Sequence, residues 1–183
     1  MDSGLERVVV VGSSCAGKTT YARRLGEILG QSHIELDSLN WLPNWVQRPT
    51  EEFRSLVAEV VSGDSWIVDG NYGKARDIVW SRATCVVWLN YSFPTVMTRA
   101  LRRTMRRTLT GEELYSGNKE SLRMAFLDRD SLLLWIITTF RRRRRDLARL
   151  RSNQTFPQLQ WFEFPTPKLA EQFLQSHANI RVQ

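Results

Sequence analysis

Gly12-Ser13-Ser14-Cys15-Ala16-Gly17-Lys18-Thr19 is the stretch on which the reading of this chain turns. It fits the pattern G-x-x-x-x-G-K-[ST] without a mismatch, and its flanks give the match its meaning. The apolar run Arg7–Val11 precedes it and reads as a buried strand. Lys18–Leu29 follows it with Tyr21, Leu25, Ile28 and Leu29 at helical spacing, and Gly30 is a stop signal. A loop so placed between strand and helix lets glycines bend the backbone until its N–H groups converge on phosphate, while the helix N-terminus adds partial positive charge. Lys18 is expected to reach the β- and γ-phosphates of a nucleoside triphosphate, and Thr19 to offer a hydroxyl to Mg²⁺. Gly12, Ser13, Ser14, Cys15, Ala16, Gly17, Lys18, Thr19 and Thr20 are therefore the expected cofactor-binding loop, with Cys15 a spacer within it.

Working outward, apolar β-branched runs alternate with helical patterns, which predicts βαβ units and a parallel sheet. Further strands are expected over His33–Leu36, Ser65–Val68, Thr84–Leu89 and Leu159–Phe164. Helices are expected over Phe53–Val61 with Thr50 as cap, over Pro94–Leu109, from about Ser121 to Leu150 with a break near Asp128–Asp130, and over Pro167–Gln175. The expected fold is a three-layer α/β/α domain spanning residues 1–183. The polar stretch Thr110–Glu120 and its arginine-rich flanks suggest a helical lid around 104–145.

In an open parallel sheet, ligands sit beyond the C-terminal ends of the strands. Asp69, closing Trp66-Ile67-Val68-Asp69, is the expected metal-side carboxylate together with Thr19. Asp37, after the second strand, is the expected acceptor of a substrate proton or orienter of the acceptor. Either acid could instead cap the next turn. Asn71 and Tyr72, in the turn that follows Asp69, are placed on the acceptor side, as are Arg54 and Arg76. Trp41 and Trp45 flank Pro43 in a loop beyond Asp37, where they could stack on a flat ligand or form a small satellite core.

The chain carries a net charge of +7, and 22 of its 26 basic residues are arginine, the side chain whose planar fork matches phosphate oxygens. Arg99 and Arg103 share a helix face, as do Arg102 with Arg106 and Arg103 with Arg107. In the run Arg141–Arg145, Arg141 and Arg145 share a face. Lid arginines can neutralise a migrating phosphoryl group, which makes Arg103, Arg141 and Arg145 candidates beside Lys18. A solvated face or a nucleic-acid surface is the alternative use of the same charge. Only Cys15 and Cys85 occur, without a paired spacing, so no disulfide framework or zinc site is expected. The opening residues show no secretory signal, and the longest apolar run, Leu132–Ile137, is far below the ~20 residues of a membrane helix. A cytoplasmic protein without a membrane partner is the expectation.

These residues also carry a family resemblance. The loop Gly12–Thr20 with Asp69-Gly70 resembles the nucleoside monophosphate kinase group, adenylate kinase included. Glu35-Leu36-Asp37, Asn40-Trp41-Leu42-Pro43-Asn44-Trp45 and Trp66–Tyr72 resemble the adenylate-kinase-related proteins labelled DNA topology modulation proteins. The likeness extends through Arg99–Arg107 and Phe140-Arg141-Arg142, nearly the whole chain. It implies a P-loop NTPase fold with a five-stranded sheet of order 2-3-1-4-5, and ATP as donor. It implies Arg99 stacked on adenine, Arg103 on phosphate, Arg141 and Arg145 in the region of the second lid arginines, and Thr166 near the adenine. The acceptor side departs from adenylate kinase: Asp69-Gly70 is followed by Asn71-Tyr72, not Phe-Pro-Arg, so AMP is not carried over as acceptor. The function expected is an ATP-dependent small-molecule kinase. The alternative is a nucleotide-dependent nucleic-acid-binding or regulatory protein.

Overall fold

Four consecutive valines, Val8 to Val11, make a strand that can only be stable with both faces covered. In the computed structural model, which describes residues 4–111, 113–118 and 132–180, that strand is β1 (Arg7–Gly12), at the centre of the sheet. Around it stand β2 (His33–Glu35), β3 (Trp66–Asp69), β4 (Cys85–Leu89) and β5 (Gln160–Phe164), all parallel, in the order β2-β3-β1-β4-β5. This is the sheet that the sequence led us to expect.

The period-two alternation of a strand divides the core in two. Val8 and Val10 face one layer with Leu25, Ile67, Val87 and Val96. Val9 and Val11 face the other with Phe53, Val57, Trp66, Val68 and Trp88. The first layer is built by α1 (Lys18–Leu29), α5 (Phe93–Thr110) and α7 (Pro167–Ile180). The second is built by α3 (Thr50–Val60) and α4 (Arg76–Arg82), and α6 (Leu132–Ser152) spans both, with Ile136 and Phe140 in the first and Leu147 in the second. A two-point ion pair between Arg24 and Glu171, at 2.5 and 2.7 Å, ties α1 to α7. On the opposite layer Trp80, Trp161 and Trp88 meet edge to face, with centroids 5.7 and 6.3 Å apart.

Several boundaries differ from the sequence reading. β2 ends at Glu35, because Leu36 already opens the short helix α2 (Leu36–Asn40), so Asp37 lies in a helical first turn and not at a strand end. Thr50 is the first helical residue of α3 and makes no side-chain cap bond; Pro49 occupies the capping position. Helix α4 was not anticipated, since seven residues are too few to display a period clearly. α5 begins one residue earlier than expected and stops at Gly111, whose φ of 62° ends it in the left-handed region. Trp135, which sits in an apolar run and reads as core, is 44 % exposed, whereas Phe140 is buried as read. The expected break at 128–130 and the part of the expected lid at 119–131 lie outside the described residues. Neither Cys15 nor Cys85 is in a disulfide. No helix among the described residues is long and apolar enough to cross a membrane.

Leu25 is fully buried against β1 and β3, while Leu109, near the end of α5, is 82 % exposed. Leu25→Ala should lower unfolding free energy by about 2–5 kcal/mol. Leu109→Ala should stay within about 0.5 kcal/mol of the parent. Urea unfolding followed by circular dichroism checks both.

Candidate active site

The loop between β1 and α1 takes a conformation that two of its glycines alone make cheap. Gly12 has φ 154° and Gly17 has φ 94°. A Cβ at Gly12 would stand 2.7 Å from the carbonyl oxygen of Leu89, and one at Gly17 would stand 2.8 Å from a guanidinium nitrogen of Arg99. Cys15 also has positive φ, at 63°. Within the loop the Ala16 N–H donates to the Ser13 carbonyl at 3.1 Å, and the Lys18 ammonium donates to the same carbonyl at 3.3 Å. Lys18 thus lies back across the cradle that its own backbone forms. Thr20 is exposed on the first turn of α1.

Two side chains brace the loop from outside. The Asn71 amide nitrogen donates to the Gly12 carbonyl, and its oxygen accepts the Gly12 N–H at 3.4 Å. Asn71, read from sequence as an acceptor-side group, has both ends engaged on the loop. Arg99 donates to the Ala16 carbonyl at 2.8 Å, with its guanidinium carbon 5.2 Å from the ring of Tyr91. That arginine thus braces the backbone of the cradle from α5.

Three carboxylates gather at the same sheet edge. Asp69, 1 % exposed, ends β3, and His33 Nε2 lies 2.9 Å from its Oδ2. Glu35 is paired in register with Asp69 across β2 and β3. Its Oε1 accepts the Thr19 hydroxyl at 3.0 Å and also the Tyr115 hydroxyl. Burial raises Glu35 above the usual carboxylate range; the Tyr115 hydrogen bond opposes that shift, and the neighbouring Asp69 charge adds to it. Asp37 accepts the Tyr72 hydroxyl at 2.5 Å, and the phenol of Tyr72 is pushed far up by burial and by that carboxylate. Lys18 is displaced below the ordinary lysine value by burial, opposed by the charges of Asp69 and Asp37. Ammonium, threonine hydroxyl and carboxylates therefore converge just beyond the loop.

The remaining candidates divide. Arg54 is held by Asp77 at 2.7 Å and by the Lys74 carbonyl at 2.6 Å. Arg76 lies over Trp80, 5.5 Å from the ring. Arg103 is half-buried on α5, while Arg141 and Arg145 are both exposed on α6. The arginine of that run that turns inward is Arg143, half-buried and within electrostatic reach of Lys18, Asp37 and Tyr72. Thr166 is exposed, and its hydroxyl accepts the Leu169 N–H at 3.4 Å, a cap for α7. Trp41 and Trp45 pack on each other edge to face with centroids 5.6 Å apart. Their loop is latched by residues 116 and 118: Asn118 accepts the Trp45 N–H at 3.0 Å and donates to the Leu42 carbonyl at 3.0 Å, and Ser116 donates to the Trp41 carbonyl at 2.8 Å.

Sequence reasoning gave no role to Glu35, His33, Tyr115, Asn118 or Arg143. Glu35 could have been found by its place two residues before Asp37 at the end of a strand. Nothing in the spacing distinguishes Arg143 from its four arginine neighbours. Among the described residues no group of three or more His, Cys, Asp or Glu side chains could by itself hold a metal ion.

Solved structures of several small-molecule kinases share this fold. A shikimate kinase from Bacteroides thetaiotaomicron matches with TM-score 0.54 and 15 % identity, covering 97 % of this chain and 99 % of the other. A shikimate kinase from Acinetobacter baumannii in complex with shikimate matches at 0.51 and 18 %, covering 98 % and 96 %. A gluconokinase from Sinorhizobium meliloti matches at 0.51 and 15 %, covering 97 % and 94 %. At such identities the likeness shows the fold alone: a five-stranded parallel sheet of order β2-β3-β1-β4-β5 with helices on both faces, shared with these kinases. No family model matches the chain, and no curated protein is significantly similar to it in sequence.

The Asn71 brace is specific enough to test. Asn71→Ala removes both bonds to Gly12 and should weaken ATP binding by about five- to tenfold with the far-UV circular dichroism unchanged, as an isothermal titration would record.

Proposed function

We propose that this protein is an ATP-dependent kinase of a small hydroxylated acceptor. The observation that carries the reading is the loop itself: a backbone cradle with positive φ at Gly12 and Gly17, a Lys18 ammonium lying across it, and the carboxylates Asp37 and Asp69 within electrostatic reach of that ammonium. The kinase neighbours, one of them solved with shikimate, support a small acceptor in place of a macromolecule. The sequence likeness to adenylate-kinase-related proteins supports ATP as the donor.

In this reading the phosphate chain lies on residues 12–20 with Lys18 against the β- and γ-phosphates, and Arg99 and Thr166 flank the nucleotide. The residues present fit Mg²⁺, which keeps several waters and takes only one or two protein ligands beside phosphate oxygens. Thr19 offers its hydroxyl, and the free edge of the Asp69 carboxylate offers a partner to bound water. When bound, the ion would screen the charge of the β- and γ-phosphates. Glu35 orients the Thr19 hydroxyl from behind.

Asp37 is placed to accept the proton of the acceptor hydroxyl, with Tyr72 holding the carboxylate in position. The hydroxyl oxygen then forms a bond to the γ-phosphorus, the bond from that phosphorus to the β–γ bridging oxygen breaks, and ADP leaves. The half-buried Arg103 supplies positive charge toward the migrating group, and Arg141 and Arg145 contribute to the field at longer range. Trp41, Trp45, Arg54 and Arg76 bound the acceptor side.

A polyanion-binding reading has one observation in its favour. Arg141, Arg142, Arg144, Arg145 and Arg149 are all exposed along α6. A nucleic-acid partner there would bind with an affinity that falls steeply with salt.

Lys18→Ala should abolish ADP release with every acceptor while leaving the fold intact. A coupled ADP assay over nucleosides, nucleoside monophosphates, hydroxy acids and polyols checks this. Undiminished turnover in that variant would overturn the mechanism.

A further inference from the structure

Partly covered arginines in this protein have engaged heads. Arg24 is paired with Glu171 and Arg54 with Asp77. Arg48 bonds the Leu39 carbonyl and Glu52. Arg7 bonds the carbonyls of Arg82 and Asp64, and Arg99 that of Ala16. This is what the cost of removing a guanidinium from water demands. Arg76 and Arg143 break the pattern. Both are half-buried, and among the described residues neither makes a hydrogen bond or an ion pair. Arg76 only lies over Trp80, and Arg143 has its guanidinium carbon 5.2 Å from the ring of Trp135. Burial lowers both below the ordinary arginine value. The Asp146 charge opposes that shift at Arg76; at Arg143 the Arg142 charge deepens it, and Asp37 and Tyr72 oppose it.

Both arginines line one cavity. It has a volume of about 50 Å³, enough for a few water-sized groups, and lies between the C-terminal ends of β1 and β3 and helices α4 and α6. Leu36, Asn71, Tyr72 and Asp146 also border it, and none of residues 12–20 does. The cavity therefore borders the turn at 70–72 and is not walled by the phosphate loop. Tyr72, on its wall, is the residue that holds Asp37.

We infer that Arg76 and Arg143 form an oxyanion-binding subsite for the acceptor, so that the acceptor is a small hydroxylated compound bearing a carboxylate or a phosphate ester. This rests on the kinase reading for the word acceptor, but the subsite itself does not need ATP. The anion supplies the missing partner of two desolvated cations, and its placement beside Tyr72 directs the acceptor hydroxyl toward Asp37. A neutral nucleoside or sugar would leave Arg76 and Arg143 answered only at a distance, by Asp146 and Asp37, and would bind poorly.

The test uses the full chain labelled with ¹⁵N-arginine. The Nε–H signals of Arg76 and Arg143, identified through Arg76→Gln and Arg143→Gln, should shift saturably as inorganic phosphate or acetate is added without nucleotide, and should do so in Lys18→Ala as well. ADP release is then compared within matched pairs: gluconate against glucose, and glycerol 3-phosphate against glycerol. The anionic member should win by about tenfold or more, and whichever pair responds identifies carboxylate or phosphate as the group taken. In the arginine variants the acceptor KM should rise about tenfold or more, with ATP affinity unchanged by titration calorimetry. Signals of Arg76 and Arg143 that stay unmoved by both anions at tens of millimolar would overturn the subsite, as would a neutral member turned over as fast as its anionic counterpart. Loss of ATP binding by the parent protein, with those shifts retained, would instead sink the kinase reading and leave the subsite standing.

Discussion

An ammonium withdrawn from water sets the terms for everything around the loop. Lys18 is displaced below its ordinary value by burial, and Asp69 and Asp37 are the charges that oppose this. Neither acid can move far, because each is held by another side chain: Asp69 by His33 and Asp37 by Tyr72. The site is thus a set of charges fixed relative to one another before any ligand arrives. Fixed dipoles and charges of this sort stabilise developing charge without reorganising, which is the largest single advantage a phosphoryl-transfer site can have.

The constraint reaches down into the sheet. Glu35 and Asp69 come level because β2 and β3 pair in parallel register at those two residues. Both are near the loop because β3 is bonded to β1, with Val10 opposite Asp69 two residues before Gly12. Asn71, directly beyond β3, then reaches back to grip Gly12. One strand therefore supplies the buried carboxylate and, two residues later, the brace of the phosphate loop. Arg99 completes the hold from α5 on the other side.

Most of the framework was legible in the residues. A run of buried valines, a loop with glycines at fixed offsets and a helical period directly after it leave few alternatives, and the strand order followed from the resemblance they carry. Short elements were not legible: α2 and α4 have five and seven residues, fewer than two helical turns, so no period could emerge. The site was half legible for a related reason. Lys18, Thr19 and Asp69 are marked by neighbours in sequence. Glu35, His33 and Tyr115 are marked only by neighbours in space, Tyr115 lying 80 residues from the carboxylate it bonds. Asn71 was placed near the crevice by its position, but its bond to Gly12 depends on strand pairing that spacing cannot express.

The arginine run shows most clearly where sequence stops and structure begins. Five successive arginines circle a helix, so their identity says nothing about which one a site uses. Packing decides. Leu147 lies buried on the face of α6 that meets α4 and β1, and Arg143 is one helical turn before it, at i−4. The face that anchors α6 to the core is therefore the face that turns Arg143 inward, while Arg141, Arg142, Arg144 and Arg145 are left in water. Spacing alone favoured the pair Arg141 and Arg145, which does share a face, but that face is not the one the core claims. Burying a guanidinium on the anchored face costs free energy unless something answers its charge, and the answering group is absent from the described protein. A positively charged composition thus resolves into two settings: an exposed field along α6, and two half-buried cations beside the crevice that holds Asp37 and Tyr72.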